Sequence, residues 1–132
     1  MATFPEKYQD LVAHDKKSFA FLATVQPDGT PQVTPVWFDM NGDKLRINTA
    51  AGRVKHRNMT KNAAIAVAIP DPANPYRYVQ IRGRVVNVTE EGADAHIDSL
   101  AKKYLNQDKY PFRQPNEVRV MYVIEPVSVS GM

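Results

Sequence analysis

Three basic residues at alternate positions, Arg53, Lys55 and Arg57, have the clearest capacity for chemistry in this sequence. They follow the small residues Thr49 and Ala50 and begin a short predicted helix within 50–62. Cations are normally unfavourable near a helix N-terminus, where the backbone N–H groups favour an anion. Arginine, lysine and those N–H groups together could bind a phosphate. A solvated basic helix face is the alternative, and the residues alone leave both interpretations open.

Two aromatic clusters could contact a flat ring. Tyr76, Arg77 and Tyr78 alternate at the start of a predicted strand, where aromatic and guanidinium groups can stack on a ring or bind an anion. A polar outer face of a sheet is the alternative for these residues. The sole tryptophan, Trp37, follows Pro35 and Val36. Because proline cannot donate to a strand ladder, this strand is predicted to lie at a sheet edge or to bulge at Pro35, and its unpaired backbone groups could contact a ring. The alternative is a core role, which is the more common one for a lone tryptophan.

A fourth candidate is Arg119, a cation between two valines in a strongly apolar predicted strand. A buried charge without a partner is costly, so this residue is expected to pair with an anion. The candidates are Glu117, Glu125 or a bound ligand.

Several function classes are excluded by what the sequence lacks. It contains no cysteine, which excludes disulfides and thiolate chemistry, and its three histidines are scattered without metal-ligand spacing, so no metal site is expected. No P-loop or nucleophile-elbow motif is present, so an enzyme would depend on a cofactor. A net charge of +3 is too small to indicate nucleic-acid binding. No signal peptide or membrane span is evident, and a cytoplasmic location is expected.

Apolar alternation and turn residues predict a mainly β chain with short helices, built as a single domain over residues 1–132. Hairpin turns are indicated at 26–29 and 41–43, and the prolines at 70–75 argue against regular structure there. The predicted strands are 18–25, 32–40, 44–49, 63–69, 76–88 and one or two within 118–129. Helices are predicted at 6–17, within 50–62, and from a cap at Thr89 to Leu105. Six or seven mostly antiparallel strands are expected to close into a barrel.

Four segments in order carry a resemblance to a known family. They are FAFLATVQPDGTPQVTPVWF, the T-A-x-G-R-x-K-x-R-N segment, NPYRYVQIRGRV and EVRVMYVIEPVSVSG. They resemble the split β-barrel family of flavin- and deazaflavin-binding proteins related to pyridoxamine 5′-phosphate oxidase. Within that family the chain is most similar to the F420-dependent oxidoreductases of the B branch.

The resemblance implies a homodimer with a cofactor groove at the subunit interface and no partner beyond a small-molecule substrate. It implies hydride transfer from reduced coenzyme F420 to a small unsaturated or quinone-like acceptor. An FMN-binding oxidoreductase on the same fold, or a non-catalytic F420 carrier, is the alternative. The residues that the resemblance places at the cofactor are Pro35, Val36, Trp37, Asn48, Thr49, Ala50, Arg53, Lys55, Arg57, Tyr76, Arg77, Tyr78 and Arg119. No proton donor is identified.

Overall fold

The computed structural model describes residues 4–132, in which seven strands form one antiparallel sheet with two α-helices and a 3₁₀ helix. The strands are β1 (Ala20–Val25), β2 (Pro31–Val36), β3 (Phe38–Asn41), β4 (Lys44–Ala50), β5 (Ala64–Asp71), β6 (Asn74–Thr89) and β7 (Arg119–Gly131). The helices are α1 (Val54–Lys61), α2 (Ala93–Leu105) and the 3₁₀ helix Glu6–Val12.

The strand order is β2-β1-β5-β6-β7-β4-β3, and the sheet curls into the predicted split barrel. Most of the inward-pointing residues of the strands are apolar, so the core lies inside the curl. Its largest fully buried side chains include Tyr122, Phe38, Leu11, Leu22 and Leu45. The two hairpins predicted at 26–29 and 41–43 join β1 to β2 and β3 to β4.

The predicted strand 32–40 is wrong as a single strand. It is divided at Trp37 into β2, which pairs with β1, and β3, which pairs with β4, and these two strands form opposite edges of the sheet. The physical reason is that the indole of Trp37 leaves the ladder and stacks on Tyr104 of α2, with ring centroids 5.2 Å apart. Pro35 lies on an edge strand, as its missing N–H predicts.

Helix α2 connects the segment ahead of β1 to the edge strand β3. The hydroxyl of Tyr104 donates to the Ser18 carbonyl at 2.5 Å and accepts from the Phe38 N–H at 3.3 Å. The Lys103 ammonium donates to the Phe38 carbonyl at 2.9 Å, and burial lowers the pKa of this lysine to about 8. Two consecutive residues of one helix therefore tie β3 to the segment ahead of β1.

The prediction of irregular structure at 70–75 is also wrong. β5 continues to Asp71 and β6 begins at Asn74, so the prolines lie inside a hairpin. They are tolerated because β1 pairs with β5 only as far as Ala68, and β7 pairs with β6 only from Val79. One side of each strand is thus unpaired at Pro70 and Pro75, where no donor is needed.

Two helix boundaries differ from those predicted. The first helix is 3₁₀ and ends at Val12 instead of position 17, because its buried residues Tyr8, Leu11 and Val12 end there. α2 begins after Gly92, and the Thr89 hydroxyl instead accepts from the Glu91 N–H at 3.0 Å, forming a local turn ahead of the helix. The predicted final strand is one continuous strand, and its pairing with β6 shifts register twice, between Arg82 and Gly83 and between Val85 and Asn87.

Candidate functional site

A groove of about 240 Å³ lies at the split of the barrel, beside Trp37. It is formed by the end of β2, the end of β4, the start of α1, the start of β7 and the loop that follows α2. Its lining residues are Phe19, Pro35, Val36, Trp37, Asn48, Thr49, Arg53, Lys55, Ile97, Tyr110, Phe112 and Arg119.

One side of the groove is basic. Arg53 caps α1 and Lys55 lies in its first turn, which contains no acidic residue. Burial, and then the nearby charges of Arg53 and Arg119, lower the pKa of Lys55. Three cations that repel one another around one helix start are suited to an anionic ligand, which would relieve the repulsion.

Arg119 is held from three directions. It is 4% exposed, its Nε donates to Asn48 Oδ1 at 2.9 Å, and its Nη1 donates to Glu117 Oε1 at 2.7 Å. The Tyr110 ring covers the guanidinium, with its centroid 5.1 Å away. Glu117 therefore supplies the anionic partner that the sequence required.

Glu117 also connects two of the basic residues. Its Oε1 lies 3.7 Å from Arg53 Nη2 as well as beside Arg119. Burial alone would raise the pKa of Glu117, but the Gln114 N–H and the two arginines outweigh it and lower that pKa. One carboxylate between two arginines leaves a net positive groove wall.

The other side of the groove is aromatic. Trp37 meets Tyr110 edge-on at 6.0 Å, and Tyr110 meets Phe112 at 5.7 Å. Tyr110 and Phe112 come from the polar loop after α2, which Arg113 anchors by a 2.8 Å contact to Asp94. Aromatic walls of this kind bury flat rings.

The structure brings together eight of the residues predicted for the cofactor site: Pro35, Val36, Trp37, Asn48, Thr49, Arg53, Lys55 and Arg119. Ala50 pairs with Arg119 in the β4–β7 ladder and lies beside the groove without lining it. Arg57 lines a different depression with Lys61, one turn along α1. The assignment of these residues to a cofactor stays a prediction.

The predicted residues on β6 lie elsewhere in this chain. Tyr76, 82% exposed, and Arg77 line a third depression with Lys7 and Tyr8, and the Tyr78 carbonyl accepts from the Met132 N–H. Arg77 is bound by Asp10 at 2.6 Å and by Asp71 at 3.1 Å, which raises its pKa. Its charge is thus already paired within the chain.

Sequence reasoning missed four groove residues: Phe19, Ile97, Tyr110 and Phe112. The signal available for two of them was a pair of aromatic residues flanking Pro111 in an otherwise polar loop. Exposed aromatic residues in such loops often contact ligands.

Two negative findings hold for residues 4–132. No three histidine or carboxylate side chains there come close enough to hold a metal ion. None of the helices in that range has the length and apolar character needed to cross a membrane.

Comparison with known proteins agrees with this geometry. Residues 4–132 match the family described as pyridoxamine 5′-phosphate oxidase. A solved structure described as an F420 reductase is 36% identical, with a TM-score of 0.83 over 96% of this chain and 98% of that chain. None of the curated proteins compared with the chain matches it significantly.

More distant structures share the fold alone. A putative pyridoxamine 5′-phosphate oxidase from Listeria innocua is 17% identical with a TM-score of 0.72, covering 96% of both chains. A conserved hypothetical protein from Mycobacterium tuberculosis is 19% identical with a TM-score of 0.75, covering 98% of this chain and 84% of that one.

Proposed function

The chain belongs to the pyridoxamine 5′-phosphate oxidase family, and from that premise we propose that it is an oxidoreductase that uses coenzyme F420. The observation that carries this proposal is a groove with cations on one side and aromatic rings on the other, in a chain similar to an F420 reductase. The donor set fits the coenzyme, because basic residues suit its phosphate and an aromatic wall suits its flat ring.

We assign the phosphate to Lys55 and Arg53, while Arg57 lies one turn along the same helix and lines a different depression. The ring and its sugar-alcohol chain are assigned to Pro35, Val36 and Trp37 and to the β4 end at Asn48, Thr49 and Ala50. When bound, the coenzyme supplies the hydride that reduces a small unsaturated or quinone-like acceptor. The residues of the chain bind and orient the two reactants and exclude water from between them.

We propose that the protein acts as a homodimer. The outer face of β2, β1 and β5 exposes apolar residues, among them Phe21 at 41% and Val33 at 63%, beside the small residue Ala66. Exposed apolar faces of this kind usually mark an interface, and a two-fold contact covers the same face on both copies. Pro35 lies on this face and also lines the groove, so the interface would adjoin the cofactor.

The size of the groove supports the same arrangement. Its volume of about 240 Å³ is smaller than the roughly 300–1,000 Å³ of typical ligand sites. A second copy would complete the enclosure, and Tyr76, Arg77 and Tyr78 are our candidates for its contribution. Tyr76 is the most accessible side chain of the three for that contact.

The proposed function is tested by titrating purified protein with oxidised F420 and, separately, with FMN. Binding is followed by heat and by the fluorescence of Trp37, which lines the groove. Tight F420 binding with weak FMN binding supports the proposal, and the reverse result assigns the same groove to FMN. Binding of neither cofactor contradicts the proposal. F420 binding without reduction of any acceptor would indicate a carrier.

Replacing Lys55 with alanine is expected to weaken F420 binding by about 1.5–3 kcal/mol, the range for hydrogen bonds to charged groups. The fold should persist, because this side chain makes no hydrogen bond within residues 4–132. The matched control is Lys61→Ala, an exposed lysine of the same helix outside the groove. Equal affinities of Lys55→Ala and the unaltered protein in calorimetry would refute the phosphate assignment.

Replacing Val33 with glutamate is expected to raise the dimer dissociation constant at least about tenfold, because two charges would be buried at one two-fold contact. Sedimentation equilibrium measures the change. The control is Val86→Glu, an exposed valine on β6 beside the end of α1. A dimer that tolerates Val33→Glu as well as it tolerates Val86→Glu would show that the face is not the interface.

A further inference from the structure

A buried chain of hydrogen bonds runs from the far side of α2 to the groove. Arg46 grips Asp39 with two bonds of 2.9 and 2.7 Å, and Asp39 Oδ1 lies 3.0 Å from His96 Nε2. His96 Nδ1 lies 3.1 Å from Asn48 Nδ2, and Asn48 Oδ1 accepts from Arg119. The chain thus joins β3, α2, β4 and β7 and ends on a residue that lines the groove.

The orientation of the Asn48 amide is fixed by its partners. A guanidinium has donors and no acceptors, so the atom that faces Arg119 must be the amide oxygen. The Ala93 carbonyl can only accept, so the atom 2.9 Å from it must be the amide nitrogen. Rotating the amide by 180° would break both bonds.

The protonation pattern of His96 follows from that orientation. Because the Asn48 amide nitrogen donates, His96 Nδ1 must offer its lone pair, and the ring proton must lie on Nε2. Asp39 is the natural acceptor for that proton. Burial alone would raise the pKa of Asp39, but hydrogen bonds from His96 and Arg46 and the charge of Arg46 oppose it and lower that pKa, so the group is an anion.

We propose that His96 is a positioning residue: its neutral, Nε2-protonated ring fixes the amide of Asn48, and that amide holds the Arg119 guanidinium in the groove. Protonation would place an N–H on Nδ1 directly against the amide N–H of Asn48. The amide cannot rotate without losing its bonds to Ala93 and Arg119, so the two N–H groups can separate only if the amide is displaced, and this displacement weakens its bond to Arg119 Nε. The affinity of the groove for an anionic ligand therefore falls as the pH is lowered.

The charged groups around the ring come from every element that meets it. Asp39 on β3 contacts the ring directly, with Arg46 on β4 behind it. Lys103, about two helical turns along α2, hydrogen-bonds the Phe38 carbonyl, and Arg119 on β7 lies beyond Asn48. The acidic residues of α2 near the ring turn instead to the following loop, namely Asp94 and Asp98. Asp39 would keep its hydrogen bond to a protonated ring, so protonation of His96 breaks only the hydrogen bond between His96 and Asn48.

The first test needs no ligand. Nitrogen-15 NMR of the free protein should show His96 protonated on Nε2 at neutral pH. The Arg119 Nε–H resonance should shift as the pH is lowered and His96 takes up a proton on Nδ1, which the same spectra report directly. In the His96→Asn variant, whose side-chain oxygen can take the place of Nδ1 as acceptor and does not titrate, that resonance should stay constant.

The second test measures affinity, and this part rests on the proposed function. The dissociation constant for F420 should rise about tenfold in the unaltered protein over the pH interval in which the NMR spectra show protonation of His96, the effect of one charge-assisted hydrogen bond. His96→Asn should flatten that profile, and His96→Phe, which removes the acceptor, should weaken binding about tenfold at every pH. Titration of the ligand itself is common to all three proteins, so the differences report His96.

Two NMR results would overturn the inference: a proton on His96 Nδ1 in the free protein at neutral pH, or an Arg119 Nε–H resonance that does not change with pH. So would an F420 affinity profile that His96→Asn leaves unchanged, since a purely structural role would lower stability without altering that profile. If neither F420 nor FMN binds, the proposed function fails by itself, and the NMR result still decides the role of His96.

Discussion

Replacing Arg119 with methionine is expected to lower the free energy of unfolding by about 3 kcal/mol, the scale for breaking a buried ion pair. The change leaves the Glu117 carboxylate, whose side chain is 6% exposed, with Arg53 at 3.7 Å as its remaining cation. It also removes the donor to Asn48 Oδ1. Urea denaturation measures the loss. F420 binding should weaken in the same variant, because the groove loses one of its three cations.

A double variant distinguishes two causes of the stability loss in Arg119→Met: the unpaired charge left on Glu117 and the packing lost with the arginine side chain. Glu117→Gln combined with Arg119→Met removes both charges, so the pair should recover most of the stability lost by Arg119→Met alone. The affinity for F420 should not recover. Additive losses in the double variant would mean that the two residues do not stabilise the fold through their ion pair.

Replacing Asp39 with alanine is expected to cost about 3 kcal/mol of stability. Asp39 is 2% exposed, and its loss strands the buried Nε2–H of His96 and frees Arg46. The matched control is Asp43→Ala, in the β3–β4 turn, whose exposed carboxylate lies 3.6 Å from Lys44. Exposed pairs of that kind contribute about 0–1 kcal/mol, so the control should remain close to the unaltered protein. Equal losses in both variants would contradict a structural role for Asp39.

The same carboxylate sets an acid limit on stability. The pKa of Asp39 is about 2 in the folded chain against an ordinary value of 3.8. A lowered folded pKa stabilises the fold above the unfolded value, and that contribution is lost as pH falls through the folded value. Stability should therefore fall by about 2 kcal/mol between about pH 4 and about pH 2, and Asp39→Ala should remove this part of the decline. Thermal unfolding over that range measures both profiles.

Local sequence signals were sufficient for most of the sheet. Tight-turn residues at Pro27 to Gly29 and at Asn41-Gly42 predicted two hairpins, and both are present. The break at Trp37 could not be predicted, because it depends on stacking against Tyr104, a residue distant in the sequence. The strands at Pro70 and Pro75 were missed because a proline is acceptable where one strand side is unpaired, and pairing is a property of the whole sheet.

The residues of the site also differ in whether local sequence could predict them. Arg53 and Lys55 were predicted because a short helix start is a local pattern, and Glu117 was a candidate for Arg119 because it is two residues away. The roles of Asp39 and His96 were not visible, because their contact joins elements far apart along the chain. Scattered histidines gave no spacing to interpret. Asp39 and His96 become candidates for a functional role only when their burial and their hydrogen bond to each other are seen in the folded chain.

The position of β7 has a consequence for how the chain reaches this fold. A nascent chain can pair β1 with β2, β3 with β4 and β5 with β6 as each hairpin is made, because these partners are close in sequence. The β3–β4 hairpin, however, joins the rest of the sheet through β7, the last strand along the chain. The groove, which needs β4 and β7 together, thus forms only after nearly all of this sequence has been synthesised. Such non-local pairing slows folding. Until β7 docks, β4 presents an open edge to other chains.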